Sequence, residues 1–174
     1  MLKGSVYYYN HIQQENKETN RKMLKPSPIA KIYEAYSALA DGRVLKAGEN
    51  VYHIASSDRA KTYTVRKDGK IYSSNDNATL WQHYAGYPIL AVWMTEGILP
   101  YDASLLSYFR GIPWKKLNTE NKNDYAKAIQ EAFKDQNPEV IDKISSACEE
   151  LLKKASALDF EVKGNREKLL PPSL

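Results

Sequence analysis

The dipeptide Asp68-Gly69 stands between two short runs rich in β-branched and aromatic residues, KTYTVRK at 61–67 and KIYSS at 70–74. The tightest hairpin turns need positive φ at their centre, and Asp-Gly supplies it at low cost. This pair therefore constrains the fold more than any other stretch: the two runs form an antiparallel hairpin. A two-residue loop at Asp68-Gly69 sets Val65 opposite Tyr72 and Arg66 opposite Ile71. Tyr63, Val65 and Tyr72 then share one face, and Thr62, Thr64 and Arg66 the other. Short apolar runs at 43–45 and 51–55 precede the hairpin, so the sheet is expected to be a small antiparallel meander.

After Ser74 the period of the pattern changes. Asn75, Asp76 and Asn77 are turn and cap formers. Residues 78–97, ATLWQHYAGYPILAVWMTEG, follow a helical pattern interrupted at Gly86-Tyr87-Pro88, where Pro88 removes an amide and disfavours helix at Tyr87. Upstream, SPIAKIYEAYSALADG at 27–42 reads as a helix with Ser27 as its cap and Pro28 in its first turn. Ile29, Ile32, Tyr33, Tyr36, Leu39 and Ala40 recur at helical spacing and form its core face, and Gly42 ends it.

Further on, Asp102 caps a short helix, ASLLSYFR, closed by Gly111, and IPWKKLN is a turn or a single helical turn. Asn123-Asp124 opens a helix with Tyr125, Ile129, Ala132 and Phe133 inward, and Asn137-Pro138 opens the last one. In that helix Ile141, Ile144, Cys148, Leu151, Ala155 and Leu158 make a seam for a neighbouring helix. The simplest arrangement packs the two C-terminal helices as a pair on the main body; docking of the seam onto a second copy is the alternative. The expected fold is α+β: a small antiparallel sheet packed by helices, with a C-terminal helical pair. Residues 1–28 form a partly irregular N-terminal segment in which SVYYY reads as a short strand. Residues 29–118 form the core domain, 119–158 the helical hairpin and 159–174 an irregular tail.

Of 19 aromatic residues 13 are tyrosines, which pack a ring while keeping a hydroxyl wet, so many half-buried positions are expected. The single cysteine, Cys148, excludes an internal disulfide and a cysteine-rich zinc site. No apolar run reaches about 18 residues and no secretory leader is visible, so no membrane partner and a cytoplasmic setting are expected. The net charge of +4 is uneven: residues 1–70 carry 13 Lys and Arg against 7 Asp and Glu, and residues 126–174 carry 8 against 9. The basic front half permits an anionic partner.

The stretch from Val51 to Gly97 resembles the SWIM module, a small ββα zinc-binding unit linked with nucleic-acid and protein contacts. The residues that carry the resemblance are the strand YTV, the turn DGK, the pair Trp81-Gln82, and GYP followed by ILAVW. The family places Cys-x-Cys at the hairpin exit and Cys-x-His at the helix start. This chain has SSNDN and then Ile89 and Ala91 at those places, so no family ligand carries over. The resemblance then implies a metal-free relative with no cofactor, in which Trp81, Tyr84, Ile89, Leu90, Val92 and Trp93 do by apolar burial what the ion does elsewhere.

Other signals are weaker. His11, His53 and His83 have no ligand neighbour at motif spacing, and no Gly-rich phosphate loop occurs. Residues 73–77, SSNDN, end a strand and cap a helix; read catalytically, Asp76 and a histidine base, His53 or His83, would serve a small polar substrate. The stronger candidate is the basic hairpin. Arg59, Lys61, Arg66, Lys67 and Lys70 cluster with Tyr63 and Tyr72, and basic groups beside aromatics on a sheet grip phosphates and stack bases. The same lysines also keep an edge hairpin from pairing between molecules. The sequence thus favours a non-enzymatic binding or scaffolding module with nucleic acid as the first partner to test. A protein partner, met through the Tyr-rich face or the C-terminal helix, ranks behind it, followed by an enzyme acting near residues 73–77.

Overall fold

The structure, a computed structural model, describes residues 24–172. The strand expected in SVYYY, and His11, lie outside the described residues. Helix α1 (Ala30–Ala40) leads into four antiparallel strands: β1 (Val44–Gly48), β2 (Val51–Ala55), β3 (Thr62–Asp68) and β4 (Ile71–Ser74). A π-helical turn (Ala78–Gln82) and α2 (Tyr87–Thr95) follow. Next come a single 3-10 turn (Ala103–Leu105), α3 (Leu106–Phe109), α4 (Trp114–Glu120), α5 (Tyr125–Phe133), α6 (Pro138–Ser156) and β5 (Glu161–Gly164). The sheet order is β1-β2-β3-β4-β5, with β5 parallel to β4. The class is α+β as expected, but the sheet is mixed. The tail read as irregular supplies the fifth strand and then turns back past the end of β4 to β3, with the Asn165 amide donating to Ser74 O and the Leu170 amide to Thr62 O. A parallel neighbour needs a long crossover, and the helices between β4 and β5 provide it. Four residues whose partner lies about ninety positions upstream carry no local signature.

The hairpin forms one residue later than expected. Tyr72 faces Lys67 and Ile71 faces Asp68, while Val65 faces Ser74. The turn is centred on Gly69-Lys70, and only Gly69 takes positive φ, 57°, as in a type II′ turn with Gly first. Asp68 stays in the strand. The slip moves both strands' register together, so the face assignment survives: Tyr63, Val65 and Tyr72 lie on the side covered by α2.

On that side Tyr52, Ile54, Val65 and Tyr72 meet Ile89, Leu90, Val92 and Trp93, and all of these are buried. Tyr72 packs edge-on to the Trp93 ring at 5.6 Å, and Phe160 closes on both. Trp81 is different. Expected in this core, it is 58% exposed on the π-helical turn, with the Arg166 guanidinium over its ring. Helix α1 is buried along residues 30–38, its polar groups included, because α2 flanks it on one side and α3, α5 and α6 on others. Tyr36 stacks on Phe109 at 4.5 Å, and Tyr33 meets Phe109, Trp114 and Phe133 edge to face.

Ser27 does not cap α1. Its hydroxyl donates to Ala85 O at 2.7 Å and ties the entry of α1 to the segment before α2. IPWKKLN extends into the two-turn helix α4. Asp124 and Asn137 cap α5 and α6, accepting from the Lys127 and Glu139 amides. Both C-terminal helices pack on α1. The seam of α6 is used within the chain, with Ile144, Cys148, Leu151 and Ala155 buried and Ile141 on the surface. No helix among the described residues is long and apolar enough to cross a membrane.

Candidate functional site

The basic hairpin does not gather its seven candidate residues on one open face. Tyr72 is fully buried and donates its hydroxyl to Glu96 at 2.9 Å. Lys67, on the same face, also reaches Glu96. Arg66 projects from the opposite face and pairs with Glu167, and Lys70 in the turn pairs with Asp159 at 2.6 Å. Arg59 holds φ at 56° in the β2–β3 loop and donates to Asp41 O, and Lys61 closes that loop by accepting at its carbonyl from the Ser56 amide. Tyr63 turns toward α2 and meets Tyr87 at 6.1 Å.

Tyr63 belongs instead to a second feature. At the end of the sheet where β2 and β4 finish and β3 begins, the start of α2 faces α1, α4 and α5 across a cleft of about 250 Å³. Lys31, Glu34 and Arg43 line it from the α1 side, Asp76 and Tyr87 from the sheet side, and Asn118 from α4. Tyr63, Tyr125 and Trp114 supply ring walls.

Each charge has a defined setting. Lys31 Nζ donates to both Glu34 oxygens at 3.1 Å and sits 4.9 Å from the centre of the Tyr125 ring. Burial works to lower the Lys31 pKa, but the Glu34 carboxylate prevails, and with Tyr125 it raises the ammonium above its ordinary value. Arg43 is 4% exposed; its Nη1 donates to Ala55 O at 2.7 Å, its Nε to Asp41, and its guanidinium lies over Tyr87. Both cations are thus neutralised inside the protein.

Asp76 is held differently. It ends β4's extension, where SSNDN turns the chain into the π-helical turn. Its Oδ1 accepts from the Thr79 amide at 3.0 Å, and Thr79 Oγ1 accepts from the Gly86 amide at 3.0 Å. Asp76 is 4% exposed, and its Oδ2 has no hydrogen-bond partner. Asn118 Nδ2 donates to Glu34 at 3.1 Å, which leaves Asn118 Oδ1 also buried and unpartnered. Phenols surround these groups. Burial first pushes Tyr63, Tyr84 and Tyr87 above the usual phenol range, and the charges of Asp76 and Glu34 add to it alongside neighbouring groups, Asp58 for Tyr63, Tyr125 for Tyr84 and Tyr63 for Tyr87; Lys31 pulls Tyr63 and Tyr84 back in part, and Arg43 does so for Tyr87.

The cleft contains Asp76, as the reading of SSNDN required of a site, but no histidine lines it. His53 lies on β2, paired with Thr64 on the face away from α2, and His83 is exposed at the end of the π-helical turn with φ at 60°. Among the described residues no cluster of three His, Cys, Asp or Glu side chains is placed to hold a metal. Ile89 and Ala91, at the positions of the SWIM ligands, are fully buried in the apolar core.

Sequence reasoning missed Lys31, Glu34, Arg43, Asn118 and Tyr125. The one available signal was a polar pair, Lys31 and Glu34, three apart on a helix with apolar residues on every side. A solvated ion pair gives the same pattern.

The fold and cleft together define an α+β protein with a tyrosine-walled polar cleft at one end of a mixed sheet. The chain belongs to the family described as uncharacterised conserved protein UCP014422, whose model matches residues 24–161. No curated protein and no solved structure matches it.

Proposed function

We propose that this protein is a non-enzymatic binding module that takes a small polar ligand into the cleft between α1, α4 and the Asp76 end of the sheet. One observation carries the reading: two acceptor oxygens of the same cleft lining, Asp76 Oδ2 and Asn118 Oδ1, are buried and unpartnered. A buried acceptor without a donor costs about 1–3 kcal/mol, and natural structures leave few of them. Both atoms are closed to solvent, so a ligand reaches either one as its side chain turns toward the cleft, and a donor there offsets that cost. The cleft's size suits a molecule of roughly ten non-hydrogen atoms, below the usual span for drug-sized ligands. The hairpin supports nucleic-acid contact less well, since Arg66, Lys67 and Lys70 are each paired with a carboxylate of the same chain and Tyr72 offers no exposed ring.

A thermal-shift screen of the full chain against small polar compounds tests the reading. A true ligand raises the melting temperature in proportion to ln(1 + [L]/Kd). The expected result is at least one such compound whose effect disappears in Asn118→Ala. A screen in which every stabilising compound acts equally on wild type and Asn118→Ala refutes the site.

A further inference from the structure

We infer a second binding site, next to the cleft: the basin between the end of α1, the β2–β3 loop and the α3–α4 turn takes the phosphoryl group of a small phosphorylated molecule. Asp41, Arg43, Ser57, Arg59, Arg110 and Gly111 line this basin of about 480 Å³, and Arg43 and Ser57 also border the cleft. Asp41, which ends α1, organises it. Its main-chain oxygen accepts from Arg59 Nη2 at 3.0 Å, its Oδ1 from the Gly111 amide at 2.8 Å and its Oδ2 from Arg43 Nε at 3.4 Å. Arg59 itself and the neighbour of Arg110 are thus fastened to one anchor, and both arginines open onto the same basin.

The carboxylate acceptors of the basin are taken, and its donors are not. Arg59 commits one N–H of its guanidinium to Asp41 and has no carboxylate partner among the described residues, and Arg110, exposed, makes no hydrogen bond or ion pair among them. The Ser57 hydroxyl accepts from the Lys115 amide at 3.0 Å and keeps its own proton to donate. Counting every partner gives the same sign. Arg43 pairs with Asp41, Lys115 with Asp58 and Lys116 with Glu120, so Arg59 and Arg110 remain as two uncompensated positive charges. The carboxyl end of α1 adds only a partial negative charge, which Arg59 already caps. A carboxylate brings a single charge and two oxygens in one plane. A phosphoryl group brings about two charges and three oxygens, which suits two guanidinium forks on separate elements. The Arg59 fork is held in place before any ligand arrives. Its φ of 56° is uncommon outside glycine. The loop around it is tied by Asp58 Oδ1, which accepts from Ser56 Oγ at 2.6 Å and from the Ala60 amide at 3.0 Å. Such preorganisation lowers the ordering cost of binding.

The test is a two-dimensional amide NMR titration of the full chain at constant ionic strength. The probes are ribose 5-phosphate, inorganic phosphate, acetate and an oligothymidylate of about ten nucleotides. Each small probe is taken to about 50 mM, where a ligand of Kd about 5 mM is about nine-tenths bound. The expected result is saturable shifts at the Ser57, Arg59 and Gly111 amides with both phosphates, at least about tenfold tighter than with acetate. Arg110→Ala should weaken ribose 5-phosphate by about tenfold. The Arg110 guanidinium holds no other described residue, so the urea midpoint of this variant should match wild type, which separates a lost ligand contact from lost structure. Arg59→Lys keeps the charge but not the fork and should weaken binding by about threefold or more. No saturable shift at these amides with either phosphate overturns the site, as does phosphate binding that Arg110→Ala leaves intact. Acetate bound as tightly as phosphate overturns the phosphoryl assignment. Oligothymidylate that shifts these amides at a lower concentration of phosphate groups than ribose 5-phosphate marks a nucleic-acid surface and overturns the small-molecule assignment.

Discussion

The α-carbon of Gly86 lies directly against the carboxyl group of Asp76, so that a methyl group on it would overlap Oδ1. The φ of Gly86, −67°, is open to any residue. Space, not backbone freedom, demands glycine here. The contact joins the exit of β4 to the start of α2, and through it the Asp76 oxygens are set in the cleft. Gly86→Ala is expected to destabilise the fold by about 1–3 kcal/mol, the usual cost of overpacking. Urea denaturation measures it. Wild-type stability in this variant would mean that Asp76 moves freely.

Glu96, which caps α2, accepts from the hydroxyls of both Tyr52 and Tyr72 at 2.9 Å and pairs with Lys67. It fastens the end of α2 across two non-adjacent strands. Tyr72→Phe removes one of these bonds at a cost of about 1 kcal/mol, whereas Glu96→Ala strands two buried hydroxyls and costs about 2 kcal/mol or more. In the double variant Tyr72→Phe, Glu96→Ala the losses should sum to less than their separate values, because one interaction is counted twice. Full additivity in denaturation experiments would contradict the shared clamp.

Burial raises Tyr33, Tyr36 and Tyr52 each to about 12 from an ordinary value of 10.0, and for Tyr52 the hydrogen bond to Glu96 adds to it. Folding thus favours the neutral phenol. The stabilisation is complete below pH about 10 and is lost as pH rises through about 12. Stability from denaturant midpoints should therefore fall across that window, with phenolate absorbance rising in step with unfolding. Tyrosines that all ionise near pH 10 in an intact fold would refute this.

Cys148 is fully buried among α6 and α1 side chains, and burial pushes its thiol well above the usual cysteine range. Its reaction with a disulfide reagent should be limited by opening of the fold and accelerate with urea. Labelling at the rate of a free thiol in native buffer would show that α6 detaches readily.

Much of this fold is legible locally. The hairpin, the helix over 30–40 and the starts of α5 and α6 follow from turn chemistry, apolar period and cap residues. What failed is instructive. The turn centre slipped by one position because Asp-Gly fits one turn type and Gly-Lys another, and the strands around it accept either. Ser27 has the chemistry of a cap, yet its hydroxyl serves Ala85 across the molecule. Trp81, apolar and within a helical pattern, sits on the outside of a turn where Arg166 covers it. The cleft itself draws on α1, the β4 exit, α4 and α5, residues spread from Lys31 to Tyr125, and no spacing rule links them.

The sequence by itself determined most of the elements and the α+β class, because propensity, capping and turn formation act within a few residues, and its single cysteine leaves no internal disulfide among these residues. The tertiary structure alone decided that β5 closes the sheet and that the hairpin cations face carboxylates. It alone also placed Asp76 and Asn118 in one cleft with oxygens unpaired. Those outcomes depend on which surfaces meet when the apolar faces are buried, and burial is set by the whole chain at once, not by any window along it.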